Sequence, residues 1–323
     1  MQKDTMKTRN SAAGVLFCLC VSLNGLLAQA NVRIAVIPKG TTHIFWKSIE
    51  AGAVKAASEL GVDIVWKGPV KENDRAQQIA IVEQFVNEGV SGIALAPLDQ
   101  AALVRPVRMA GQKGIPVVIF DSALNGDVGK DYVSYVATDN KKGGNLGGEK
   151  LAEILQGKGK VVLLRYMVGS ASTVEREKGF LEAISKSKGI VLTVENRYAG
   201  ATAGEAKTAS MNMIDKLKEA DGIFCPNESS TFGMLLALRQ NNLAGKVRFV
   251  GFDTSPPLID ALRTGEIDAL VAQDPKWMGY QAVTTLVSHL QGKEVPQVID
   301  TGVRVITKDN LTDPEIQKLL GTP

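Results

Sequence analysis

The sequence predicts an α/β protein of two doubly wound lobes, each a parallel sheet with helices on both faces. Two observations predict it. Short, almost wholly apolar runs alternate with amphipathic stretches of helical period, the pattern of strands buried on both faces. The alternation completes one series and then starts again over a similar length, and 323 residues suit two domains.

The first series opens at residues 32–37, a β-rich run halted at Pro38. Residues 44–60 follow as a helix, because Phe45, Ile49, Ala53, Ala56 and Leu60 fall on one stripe, and Gly61 ends it. Residues 62–66 are the second strand. Asp74 carries the short carboxylate that caps a helix, whose apolar positions are Ile79, Val82, Phe85 and Val86. Strands at 93–96, 115–120 and 132–137 complete the series, with a helix over 99–113. The second series places strands at 161–164, 190–194, 222–225, 247–252 and 268–272. Its helices run through Phe180 and Ile184, near 203–218, near 230–240, and over about 275–291. The glycine run Gly143-Gly-Asn-Leu-Gly-Gly148 suits a crossover helix lying close on a sheet. No convincing repeat of residues accompanies the duplication.

Apolar residues at 45% and charged residues at 22% describe a folding chain, not a disordered one. A net charge of +3 supplies no basic field for phosphates, so nucleic acid is not an expected partner. Three cysteines and two histidines are too few for a disulfide scaffold or a structural zinc site. Lys3, Lys7 and Arg9, the apolar run 12–27 and Ala28-Gln29-Ala30 make a secretory leader, cut after Ala30. The run is short for a membrane span. Cys18 and Cys20 follow Phe17 and Leu19 rather than the small residue that a lipid anchor needs. Cys225 is expected as a small buried core residue.

Open α/β sheets bind ligands beyond the carboxyl ends of their strands, and two such edges facing each other make a cleft. The residues following the strands are Lys39, Pro97, Asp121, Asp139, Arg165, Asn227, Asp253 and Gln273. Most are forked or charged groups suited to hydroxyls and carbonyls. His43, Phe45 and Trp46 open the first helix, where an indole face can stack on the C–H face of a sugar. Phe45 also begins the core stripe, with Trp46 beside it. The charges of Lys71-Glu-Asn-Asp-Arg75 and Lys141-Lys142 read as solvated surface. Patterns for catalysis are missing: no Gly-x-Ser-x-Gly elbow, no Gly-Lys-Ser/Thr loop, no dinucleotide fingerprint after the first strand and no metal-ligand spacing. His289 sits in a C-terminal helix near Lys293 and is expected to be exposed. An enzyme is not expected.

Further segments carry a resemblance. They are Ile34-Ala-Val-Ile-Pro-Lys39, His43-Ile-Phe-Trp46, Val118-Ile-Phe-Asp-Ser122, Ala137-Thr-Asp-Asn-x-x-Gly-Gly144, Glu175-Arg-x-x-Gly-Phe180, Pro226-Asn-Glu228, Val250-Gly-Phe-Asp-Thr-Ser-Pro256 and Ala272-Gln-Asp-Pro275. In this order and spacing the chain resembles the periplasmic sugar-binding proteins of the ribose-binding type, the soluble receptors of ABC importers.

The resemblance implies the type I periplasmic binding protein fold: two lobes joined by three hinge strands, crossed near 138–140, 252–275 and 300–303. It implies one lobe of 31–138 plus 274–301 and another of 139–273 plus 302–323, closing on ligand in the cleft. It implies ligand contacts from Asp121, Arg176, Asn227, Asp253 and Gln273, and from the aromatic positions Phe45 and Trp46. The sequence departs from the ribose pattern with Ser122 for an arginine, Ala96 for an amide, His43 for an asparagine and Trp46 for a phenylalanine. Pro38-Lys39 with Phe120-Asp121-Ser122 is similar to the rhamnose and autoinducer-2 receptors, where that lysine and aspartate grip the ligand. A pentose, deoxyhexose or polyol is the expected ligand, with Lys39, His43 and Ser122 expected among its contacts beside those above. The expected partner is an ABC permease in the inner membrane, with the mature protein a periplasmic monomer. The alternative is a sensing receptor docking on a chemoreceptor or sensor kinase. A transcription regulator of this fold would need an N-terminal helix-turn-helix where the leader stands. No cofactor is implied, and the calcium-loop pattern is absent.

Overall fold

The protein is described by a computed structural model over residues 1–2 and 32–321; the expected cleavage site after Ala30, with Cys18 and Cys20, lies outside the described residues. The first series forms β1 (Arg33–Ile37), α1 (Ile44–Leu60), β2 (Asp63–Trp66), α2 (Arg75–Glu88), β3 (Gly92–Leu95), α3 (Val104–Gln112), β4 (Val117–Phe120) and β5 (Ser134–Ala137). The second forms α4 (Asn140–Ile154), β6 (Lys158–Arg165), α5 (Ala171–Ser185), β7 (Gly189–Tyr198), α6 (Ala203–Met211), α7 (Ile214–Lys218), β8 (Gly222–Phe224), α8 (Glu228–Gln240), β9 (Arg248–Phe252), α9 (Pro256–Thr264) and β10 (Ala269–Ala272). Then come α10 (Pro275–Leu290), β11 (Val298–Asp300), β12 (Arg304–Thr307) and α11 (Pro314–Leu320).

Two sheets result, with the same internal order: β2-β1-β3-β4-β5-β11 and β7-β6-β8-β9-β10-β12. All pairs are parallel except β10 with β12. The exception follows from connectivity, since the chain reaches β12 from the other sheet by a three-residue step. Each sheet buries both faces, with separate apolar clusters on either side. The chain passes between sheets at 138–139, 273–274 and 301–303. The first and third passages lie side by side: Thr301 N–H donates to Ala137 O at 3.0 Å, and the Thr138 hydroxyl donates to Gly302 O at 3.3 Å.

Local signals act as expected at several ends. Gly61 closes α1 in the left-handed conformation at φ 65°. Asp74 Oδ1 accepts from Gln77 N–H at 2.9 Å and starts α2. Cys225 is fully buried. The helix expected over 203–218 is broken into α6 and α7, where Met213 turns into the core of its lobe. Two helices were not anticipated, α9 and α11: in α9 Pro256 suits the first turn, and Leu258, Ile259, Ala261 and Leu262 bury one face.

Glycines let two helix pairs touch backbone to backbone. A Cβ on Gly144 of α4 would stand 1.9 Å from Arg176 O of α5, and one on Gly179 2.0 Å from Lys141 O. The first lobe repeats the device: a Cβ on Gly52 of α1 would stand 1.9 Å from Lys276 O of α10, and one on Gly279 2.1 Å from Ile49 O. A Cβ on Gly147 of the glycine run would stand 2.5 Å from the Phe224 ring, so that run does bring its helix down onto the sheet.

Candidate ligand-binding site

Each sheet aims one aspartate into the space between the lobes by the same turn. Asp121 follows β4 and Asp253 follows β9, the fourth strand of each series. Both are left-handed, at φ 61° and 72°, a conformation that aspartate tolerates better than most residues. Asp121 N–H donates to Val136 O at 3.0 Å and Asp253 N–H to Val271 O at 2.9 Å, the next strand in each case. Phe120-Asp121 and Phe252-Asp253 are therefore equivalent, a residue-level repeat too short to stand out in the sequence.

Around these carboxylates the hinge end of the cleft is charged and buried. Lys39, after β1, places Nζ 2.9 Å from Asp121 Oδ2 and donates to Ser172 Oγ of the other lobe at 2.9 Å. Arg176 of α5 is buried, with Nε on Asn140 Oδ1 at 2.8 Å, Nη1 on Pro226 O at 3.0 Å, and its guanidinium 4.0 Å from the Phe252 ring centroid. Asp253 accepts from Gln273 Nε2 at 2.7 Å and from Glu228 N–H at 2.8 Å. Burial pushes the Arg176 pKa down and the Asp253 pKa up, and the attraction between the two groups opposes both shifts. Arg176 Nη2 and Gln273 Oε1 remain buried without a hydrogen-bond partner.

The mouth end is built on a residue read in the sequence as solvated. Glu72 is 5% exposed. Its Oε1 is 2.7 Å from His43 Nδ1 and accepts from Trp46 Nε1 at 2.7 Å, and its Oε2 accepts from the Tyr166 hydroxyl at 2.9 Å. His43 Nε2 meets Ala201 O at 3.0 Å. With an acceptor on each ring nitrogen, the imidazole is held as the cation. Burial works against that charge, but Glu72 outweighs it and lifts the His43 pKa to about 9. For Glu72, burial raises while His43 lowers, and the carboxyl ends at about 2. Glu228 accepts from Phe45 N–H at 2.8 Å, at the N-terminus of α1 in the facing lobe.

These shifts fix a pH dependence. The His43 contribution is complete below its ordinary 6.5 and is lost as pH rises through about 9. The Glu72 contribution is complete above its ordinary 4.5 and fades as pH falls toward about 2. Thermal melts of wild type and His43→Gln should therefore converge between pH 7 and 10. A gap that stays constant across that range would show His43 to be uncharged in the folded protein.

Lys39, His43, Phe45, Trp46, Asp121, Arg176, Asn227, Asp253 and Gln273 line one cavity. Asn227 also caps α8, its Oδ1 accepting from Ser230 N–H at 3.2 Å. Ser122 does not line it. Its Oγ is turned away to accept from Ser172 N–H at 3.1 Å. Pro97, Asp139 and Arg165 are also outside: Asp139 caps α4 through Lys142 N–H, and Arg165 pairs with Glu177. The aromatic roles are exchanged relative to expectation. Trp46 is 2% exposed and starts the core stripe, edge-on to Phe120, with its N–H held by Glu72, whereas Phe45 is the half-buried ring. Glu72, Tyr166, Ser172, Thr173 and Glu228 complete the lining unforeseen. One signal pointed to Glu72: a tryptophan N–H and a histidine in the core need an acceptor.

Residues 34–294 match the family model of the periplasmic binding protein domain. The chain belongs to the periplasmic binding protein family. This periplasmic binding protein is 31% identical over 301 residues to the ribose import binding protein of Haemophilus influenzae, covering 92% of this chain and 97% of the relative. Among solved structures, a solute binding protein of an ABC transporter from Agrobacterium vitis with bound D-fucose superposes with a TM-score of 0.86 at 34% identity, covering 89% of this chain and 99% of that one. A carbohydrate transporter solute binding protein from Agrobacterium radiobacter in complex with D-arabinose gives 0.86 at 32%, covering 90% and 99%. The periplasmic binding protein is thus a solute receptor of ABC transport and not an enzyme. Its family works in the periplasm, and among the described residues no helix is long and apolar enough to cross a membrane.

Proposed function

We propose that this receptor captures an uncharged pentose, deoxyhexose or polyol between its lobes and delivers it to an ABC permease in the inner membrane. The observation that carries this reading is that every cation of the cavity already faces a carboxylate, with Glu228 a further acid beyond the three matched pairs. Lys39 faces Asp121, His43 faces Glu72, and Arg176 sits in the field of Asp253. A carboxylate or phosphate would meet no cation left over, whereas hydroxyls both donate and accept and suit Arg176 Nη2 and Gln273 Oε1. The ligands named for the D-fucose and D-arabinose receptors support the same class.

Residues 31–138 with 274–301, and 139–273 with 302–323, are the two jaws in this reading, and sheet membership supports the division. Export with cleavage after Ala30 supplies the compartment. A thermal-shift panel of pentoses, hexoses, deoxyhexoses, polyols and sugar acids tests the ligand class on denatured and refolded residues 31–323. At hundredfold excess over Kd, one neutral sugar should add about 2.7 kcal/mol, and Asp121→Ala should abolish the shift. A flat panel, or a response confined to sugar acids, would overturn the reading.

A further inference from the structure

The two ends of the cleft differ in what they leave for a ligand. At the hinge end, Arg176 and Gln273 keep buried atoms without protein partners. At the mouth both oxygens of Glu72 are already engaged. His43 and Trp46, from the same lobe, fix the carboxylate through Oε1, and Tyr166, from the facing lobe, donates to Oε2 at 2.9 Å. Glu72 lies in the loop between β2 and α2 and Tyr166 directly follows β6, so this bond joins the two lobes. Both residues are at least nine-tenths buried.

We propose that Glu72 and Tyr166 form an interlobe latch that draws the cleft shut before any sugar is bound. Every polar atom of the bond comes from the protein, so it can form with no ligand in the cleft. Glu72 arrives pre-oriented by two donors of its own lobe, which spares the latch the entropy of ordering a free side chain. A hydrogen bond to an ionised, water-excluded acceptor is among the stronger kinds. Two neighbours act in the same sense across the same gap: His43 on Ala201 O, and the N-terminus of α1 on Glu228. A receptor already partly closed asks less of its ligand, because apparent affinity scales with the competent fraction. The inference goes beyond the ligand class proposed above and holds for any sugar.

The test needs no ligand, so it can fail independently of that reading. Val70 lies just before Glu72 and Val168 just after Tyr166; they are 58% and 69% exposed, one on each lobe. Cysteines at these two positions carry spin labels, and the buried Cys225 stays unlabelled. Pulsed electron resonance on denatured and refolded protein should show a short and a long interlabel distance. Tyr166→Phe, which keeps the buried ring, should reduce the ratio of short to long about tenfold, and Glu72→Gln should reduce it too. Refolded wild type showing only the long distance would overturn the latch. So would folded variants of both kinds, checked by circular dichroism, with the wild-type distribution.

Discussion

Replacing Asp253 with asparagine should weaken sugar binding about 100-fold, the loss expected when a charged acceptor in a buried site becomes neutral. The substitution isolates charge. Asparagine accepts the left-handed backbone at φ 72° as aspartate does, so the turn after β9 persists. What changes is the field on Arg176, which is buried with that carboxylate as its foremost attraction. The amide also presents a donor to either Gln273 Nε2 or Glu228 N–H, which both donate to Asp253 now. The thermal midpoint should fall as well. Asp139→Asn is the matched control: Asp139 caps α4 outside the cavity and asparagine caps about as well, so stability and affinity should both stay close to wild type. Isothermal titration with the neutral sugar selected by the thermal panel separates the two. An unchanged Kd for Asp253→Asn would remove Asp253 from the site.

Gly144→Ala should be the most damaging single methyl in the second lobe, destabilising by about 3 kcal/mol or more. The added carbon would stand 1.9 Å from Arg176 O and 2.8 Å from Arg176 Cα, both backbone, so no side chain can turn aside. Helices α4 and α5 must separate, and Arg176, which rides on α5, moves with them. Affinity should fall together with stability. Gly111→Ala makes the opposite prediction. Gly111 lies in α3 with nothing near its Cβ position, so alanine should stabilise by about 0.5–1 kcal/mol. Urea denaturation of the two variants would show opposite shifts in midpoint. A tolerated alanine at 144 would mean that the α4–α5 contact is looser than described.

The same contrast explains what could be read in advance. The bounds of α1, the cap at Asp74 and the stop at Gly61 are local matters, set by helical period, a short carboxylate and a left-handed glycine. Strand-end logic reached Lys39, Asp121, Asn227, Asp253 and Gln273 because a parallel sheet presents the residue after each strand to one edge. Glu72 was lost for a physical reason. Within Lys71-Glu-Asn-Asp-Arg75 every neighbour is polar, and nothing local says which charge turns inward. Its three donors come from 26 and 29 residues before it and from 94 residues after it. Ser122 failed the other way: it follows a site residue, but a strand-end turn sends adjacent side chains to different sides, and its hydroxyl reaches Ser172 N–H. Phe45 and Trp46 exchanged roles because one position on a helix is a 100° rotation, and only the packing of α1 against its sheet sets the phase.

The sequence by itself determined the elements, their alternation, the two-lobed class and the chemical type of ligand group offered at the strand ends, since each of these depends on near neighbours. Only the tertiary structure decided which charges pair, which are left open toward a sugar, and which bind one lobe to the other. Those outcomes depend on distances between residues far apart in the chain, and such distances exist only once both sheets have formed and face each other.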